Sequence, residues 1–279
     1  LRHADYQAEV RLSGDHHELH LRGRADGYDP RANRLEEIKT YRGDFHSIPD
    51  NRRTLHWAQL KIYGALQCRA LQLKTIELAL VYFNVDTQRE TKLSEHCDSA
   101  SLDAFYALHC EKFLAWARAE LRHRTLRNTA LGALSFPHAT FRRGQRELAE
   151  AVYKSFCTGR HLLVQAPTGI GKTMGTLFPL LKAFTTQSLD KGFFLTAKTT
   201  GRALALHALS QLQATAADLP LRVLELVARD KSCAFPGSAC HGDACPRARG
   251  FYDRLPAARQ QAAHTHMLDQ STLRDIAHA

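Results

Sequence analysis

At 279 residues the chain is long enough for two domains with separate cores. No window approaches the roughly 18 consecutive apolar residues that cross a bilayer, and no secretory leader pattern is visible, so a cytoplasmic enzyme is expected. A formal charge of +10 and a pI near 9.4 favour a polyanionic partner, nucleic acid before a membrane surface.

Residues 1 to about 95 read mostly as strands. Glu9 to Leu12 and Glu18 to Arg24 alternate apolar and polar side chains, the pattern of half-buried strands. Asp29 to Asn33 reads as a turn and Leu35 to Tyr41 as the next strand. A helix is predicted over Thr54 to Leu71 and a fully buried strand over Ile76 to Phe83. A long helix follows from Leu102 to Arg127, with Leu102, Phe105, Tyr106, Phe113 and Trp116 as its expected core stripe.

Within this first part, Asp26 falls at one strand end, and Glu37 and Lys39 fall on the next strand. Residues two apart on a strand share a face, so Glu37 and Lys39 point together, and the hairpin brings Asp26 alongside. Two carboxylates suit Mg2+ or Mn2+, helped by the Ile38 carbonyl, while a lysine orients or deprotonates water and steadies phosphorane charge. Gln59 and Tyr63 follow at a spacing of four, on one helix face. In this order the five residues resemble the RecB-like branch of the PD-(D/E)XK nucleases. The resemblance covers roughly residues 6–125 and implies catalytic roles for Asp26, Glu37, Lys39, Gln59 and Tyr63, with Asp26 and Glu37 holding the metal. Arg24, Arg31, Arg34, Arg42, Arg52 and Arg53 surround the hairpin and suit either phosphate contacts or a solvated face. His16, His17 and His20 read as exposed strand or loop histidines rather than as metal ligands.

The pattern breaks near Leu134 to His138, which sets expected domains at 1–134 and 135–279. Helices at 144–157, 172–186 and 201–213 then alternate with strands at 161–165, 192–197 and 221–228, the signature of a parallel α/β sheet. Between the first of these strands and the second helix lies APTGIGKT, Ala166 to Thr173. Strand, glycine-bearing loop and Lys-Thr at a helix start form a phosphate-binding loop. Thr168, Gly169 and Gly171 present backbone amides, Lys172 reaches the β/γ oxygens, and Thr173 holds Mg2+.

Upstream, Phe141 to Gln145 resembles the adenine-reading Q-motif of superfamily 2 helicases, which favours ATP over GTP, with Gln145 as the reading residue. Phe193 to Thr199 looks like a strand-end motif whose threonine and backbone touch DNA phosphates. Cys68, Cys97, Cys110 and Cys157 are scattered and read as reduced structural thiols. Cys233, Cys240 and Cys245 instead crowd together, with Pro246 after the third, and suit soft-metal ligation by an iron–sulfur cluster or by zinc with His241.

The phosphate loop together with a Cys-rich insertion from about residue 229 resembles the XPD/DinG family of iron–sulfur helicases. That resemblance covers roughly residues 138–279 and implies a [4Fe–4S] cluster with four cysteine ligands, three of which are present. The chain opens at Leu1 and stops within a helical pattern, and it lacks an acidic Walker-B box and a second motor lobe. It is therefore expected to be a fragment whose fourth cysteine lies beyond Ala279.

The fold expected is a PD-(D/E)XK nuclease-like α/β domain followed by the first part of a P-loop, RecA-like helicase domain. The function expected is an iron–sulfur, ATP-dependent DNA helicase with an attached metal-dependent nuclease, acting in DNA repair or recombination on DNA that is single-stranded or has single-stranded tails. The alternatives are a helicase with a non-catalytic DNA-gripping N-terminal domain, or a cluster-containing DNA-binding protein without a motor.

Overall fold

A computed structural model describes residues 4–187, 189–216 and 219–278. The chain divides into two compact units, Leu1–Arg118 and Ala119–Ala279. The division falls inside a long helix, ahead of the break read at Leu134.

The first unit is built on a five-stranded mixed sheet in chain order: β1 (Gln7–His16), β2 (Leu19–Asp29), β3 (Arg34–Tyr41), β4 (Thr75–Asn84) and β5 (Glu90–Asp98). All neighbours are antiparallel except β3 and β4, which α1 (Asp50–Leu71) joins as a βαβ crossover. The predicted strands and helix are present. The added β5 is an edge strand whose charged, exposed sequence hides it from a hydrophobicity reading.

One core is formed by Leu35, Leu60, Leu66, Ile76, Leu78, Leu80, Tyr82, Leu102 and Tyr106 with their neighbours. Gly64 lets α1 approach β4, because a Cβ there would sit 2.8 Å from Leu78. Helix α2 (Ser99–Ala133) is started by Asp98, whose carboxylate accepts from the Ser101 amide at 2.8 Å and holds its own pKa low through these Ser101 bonds. The buried stripe of α2 is Leu102, Tyr106, Cys110 and Leu114, whereas Phe113 and Trp116 are exposed. Strict four-residue spacing carries the stripe past those two aromatics, which corrects the expected core face.

In the second unit the helices α3 (Gln145–Thr158), α4 (Lys172–Gln187) and α5 (Thr199–Ala214) match the expected ones. Met174, Leu177, Leu181 and Phe184 of α4 pack with Ala205, Ala208 and Leu212 of α5 and with Leu131 and Leu134. Lys182 donates to the carbonyls of Leu131 at 3.1 Å and Leu134 at 3.2 Å, closing the C-terminus of α2. Burial lowers the pKa of this lysine.

The expected parallel sheet is reduced. Residues 161–165 and 192–197 form no ladder, and of 221–228 only β6 (Val223–Leu224) pairs, in parallel with β7 (Met267–Leu268). A strand needs partners for its N–H and C=O groups, and among the described residues neither of the first two segments is paired in a ladder. Leu163 and Leu195 are therefore almost fully exposed. Helices α6 (Arg229–Ser232), α7 (Phe251–Ala263) and α8 (Gln270–His278) complete the unit. No helix among the described residues is long and apolar enough to cross a membrane.

Candidate active site and nucleotide loop

In the first unit, β2 and β3 pair only over Gly27↔Glu36, Tyr28↔Leu35 and Asp29↔Arg34. Beyond Gly27 the ladder gives way to a side chain, as Asp26 Oδ2 accepts from the Ile38 amide at 2.6 Å. This bond fixes Asp26 beside the Glu37–Lys39 segment. Glu37 and Lys39 emerge on one face of β3, and Lys39 Nζ donates to Glu37 Oε1 at 2.6 Å. Helix α1 completes the group. Gln59 Oε1 accepts from Lys39 Nζ at 3.0 Å, and Gln59 Nε2 donates to Tyr63 Oη at 3.3 Å. Glu37, Lys39, Gln59 and Tyr63 thus form one hydrogen-bonded chain, with Asp26 bound to the main chain beside it at Ile38.

The electrostatics of this site are set by burial. Glu37 is 4% exposed, and desolvation pushes its pKa above the usual carboxylate value. The hydrogen bond and charge of Lys39 oppose that shift, and the negative charge of Asp26 adds to it. Glu37 Oε2 is buried with no hydrogen-bond partner. A buried carboxylate with one unsatisfied oxygen, beside a second carboxylate, fits a hard divalent cation held by oxygen ligands.

Two further residues shape the site without being signalled by a motif. Gly23 on β2 lies under the Tyr63 ring, where a Cβ would stand 2.4 Å from Cε1. His56 stands one helical turn before Gln59, hydrogen-bonds Tyr82 Oη through Nδ1 at 2.9 Å, and lines a cleft with Lys39, Tyr41 and Arg52. Burial, then the positive charges of Lys39 and Arg52, lower its pKa.

Most of the arginines around the hairpin are engaged by acids. Arg24 meets Glu9, Arg31 meets Asp5, Arg42 meets Asp86, and Arg34 bridges Glu36 and Asp29. Arg34 is half-buried among carboxylates and serves the fold, whereas Arg52 lines the cleft beside Lys39.

In the second unit, the phosphate loop leads into α4 at Lys172. Gly169 and Gly171 adopt φ of 86° and 83°, left-handed values that L side chains resist. The loop is bound to the start of α3. Arg142 donates to the Gly169 carbonyl at 2.8 Å, and Gln145 Nε2 donates to the Gly171 carbonyl at 3.1 Å. Gln145 Oε1 in turn accepts from the Arg142 amide at 3.0 Å, so both ends of this buried amide are engaged. Lys172 Nζ donates to the carbonyls of Ala166 at 3.2 Å and Pro167 at 2.8 Å, folding its ammonium back over the loop. Thr168 is exposed and Thr173 half-buried at the helix start. Arg142 is the residue that motif reading passed over.

Thr196 donates to the Lys198 carbonyl at 3.1 Å, and the Thr199 side chain lies outside the described residues. Cys233, Cys240 and Cys245 occupy a segment of turns. Cys240 Sγ lies 3.9 Å from an Arg229 nitrogen, and Cys245 is buried. Among the described residues these thiols do not converge into a metal-competent group of three. They are soft donors of the right kind for a cluster but one short of its four ligands.

Residues 142–233 match the DEAD/DEAH box helicase family. The ATP-dependent helicases DinG of Mycobacterium tuberculosis (strain ATCC 25177 / H37Ra) and Mycobacterium bovis (strain ATCC BAA-935 / AF2122/97) are each 55% identical over 42 residues, which is 15% of this chain. The match spans 6% of the length of those relatives. A solved structure described as the crystal structure of SSO0001 is 24% identical over 36% of this chain and 47% of its own, with a TM-score of 0.25, too low to bear on the fold. Residues 142–233, which contain the phosphate loop, are therefore similar to a DEAD/DEAH box helicase segment.

Proposed function

We propose that this chain belongs to an ATP-dependent DNA helicase of the XPD/DinG type that carries a metal-dependent nuclease domain of the RecB-like PD-(D/E)XK kind. The motor reading rests on the helicase match and on the loop geometry around Gly169 and Gly171. The nuclease reading rests on one observation, the hydrogen-bonded chain Glu37–Lys39–Gln59–Tyr63 with Asp26 held beside it by the Ile38 amide. In this proposal residues 1–134 carry the nuclease and 135–279 the RecA-like nucleotide-binding part. Cys233, Cys240 and Cys245 contribute to an iron–sulfur cluster, and DNA repair or recombination on DNA that is single-stranded or has single-stranded tails is the setting.

At the nuclease site, Asp26 and Glu37 would hold Mg2+ or Mn2+, with the Ile38 carbonyl. Such an ion supplies charge stabilisation and lowers the pKa of water. The chain's own part is positioning. The Asp26 carboxylate is aimed by a main-chain amide, and Lys39 is held between Glu37 and Gln59. An ammonium fixed there can bind a phosphate oxygen and hold a proton beside the attacked phosphorus. Tyr63 restrains Gln59, and Gln59 restrains Lys39. At the loop, the amides before α4, with Lys172 and Thr173, would hold the triphosphate of ATP and its Mg2+. Gln145 reads the adenine or, through Gly171, sets the loop for it.

Incubating the chain with single-stranded DNA and Mg2+ or Mn2+ tests the nuclease half, and fluorescent ATP binding tests the motor half. Cleavage lost in Glu37→Ala and Lys39→Ala but kept in Lys172→Ala, with nucleotide binding lost only in the last, is the expected result. Equal inertness of the wild type and the first two variants would leave a DNA-gripping domain instead.

A further inference from the structure

Away from the Asp26–Glu37 centre, at the tip of the β1–β2 hairpin, two imidazoles and a carboxylate converge. His16 Nε2 lies 2.8 Å and His17 Nε2 3.1 Å from the same oxygen, Glu111 Oε1. The ligand-capable atoms of the three residues all lie within 4.8 Å of one another. Among the described residues they form the one such group of three.

Consecutive strand residues normally send side chains to opposite faces. Here His17 takes a left-handed φ of 51°, which folds its ring back to within 4.7 Å of the His16 ring, edge to face. A non-glycine residue in this region is strained by about 1 kcal/mol or more. His16 is held from behind by the buried Tyr106 ring, 6.0 Å away between centroids. Its side chain is only 16% exposed, so its aim is set by packing. Glu111 projects from α2, and the hydrogen bond from His16 keeps its carboxyl below the usual carboxylate range.

Four ligands about 2.0–2.1 Å from a tetrahedral cation are separated by about 3.3 Å. The two N···O separations need to open by only a few tenths of an ångström to reach that value. Two imidazole nitrogens and one carboxylate oxygen suit a borderline cation and leave a fourth position for water. We propose that His16, His17 and Glu111 form a binding site for a divalent transition-metal cation of the zinc class. It lies roughly 23 Å along β2 from Asp26, taking about 3.3 Å per residue from Leu19. Bound there, the cation joins the hairpin tip to α2.

The test is zinc uptake by the full chain in a background of Asp26→Asn, Glu37→Gln, Cys233→Ser, Cys240→Ser and Cys245→Ser, which removes the other candidate ligands. One equivalent of Zn2+ is expected by equilibrium dialysis, with affinity falling at least tenfold in His17→Gly and in Glu111→Gln. Glycine suits the left-handed backbone at 17, so the first variant stays folded. If the background itself does not fold, histidine 15N spectra of the unmodified chain decide the matter. Zn2+ must move the Nε2 resonances of both His16 and His17. Zinc affinity unchanged by His17→Gly, or Nε2 resonances that do not respond to Zn2+, overturns the proposal.

Discussion

Lys39 Nζ binds Glu37 Oε1 at 2.6 Å while Glu37 Oε2 stays buried and without a partner. The carboxylate is therefore hydrogen-bonded through one oxygen only. Its pKa is raised, with burial the main cause. For a carboxyl raised in the folded state, the contribution to stability is full below the unfolded value near 4.5 and is lost as pH climbs through the folded value. The wild type should thus lose stability relative to Glu37→Gln as pH rises above about 4.5. Thermal melts of both proteins across that range check this. Added Mg2+ or Mn2+ should raise the melting temperature of the wild type at pH 8 and leave Glu37→Gln unmoved.

Lys39→Met should lower metal-dependent DNA cleavage by about 10²–10³-fold, the usual cost of losing one positioned charge. Gln59→Ala should cost less, since it frees the Lys39 ammonium without removing it. Single-turnover cleavage rates separate the two. Equal losses would mean that Gln59 has a role beyond restraining Lys39.

Gly23→Ala forces a Cβ against the Tyr63 ring. Overpacking of this kind costs about 1–3 kcal/mol. Denaturant unfolding should show it, and Tyr63→Leu should relieve part of it in the double variant, because the clash needs the ring.

Gly171→Ala combines a left-handed φ with a Cβ placed 2.2 Å from Gln145 Nε2, whereas a Cβ at Gly169 meets nothing within 4 Å. Both should destabilise by the left-handed cost of about 1–2 kcal/mol, but only Gly171→Ala should depend on Gln145. A double-mutant cycle with Gln145→Ala reads this coupling, and ATP affinity is expected to follow the same order.

Periods of two on a strand and four on a helix tell which side chains share a face, so the pairing of Glu37 with Lys39 and of Gln59 with Tyr63 was legible. Joining those two pairs and Asp26 into one candidate site needed the resemblance to RecB-like nucleases, which periodicity does not supply. Gly23 and His56 were not legible, since their roles depend on which helix lies over which strand. In the second unit the helices are present as expected, but 161–165 and 192–197 did not become strands. Apolar composition marks a segment that wants burial, while a ladder requires a neighbour that composition does not supply. Phe113 and Trp116 failed likewise, because size and apolarity do not decide which side of α2 faces the core. The pairing of His16 and His17 with Glu111 escaped notice because the acid lies far away in sequence and the turn reverses the usual alternation.

Because the Ile38 amide holds Asp26, the placement of Asp26 beside Glu37 and Lys39 depends on the register of β3. Removing one residue from β3 ahead of Glu37 would shift the strand by one pleat and send Glu37 and Lys39 to the opposite face. Small in-frame deletions in that strand should therefore abolish cleavage outright.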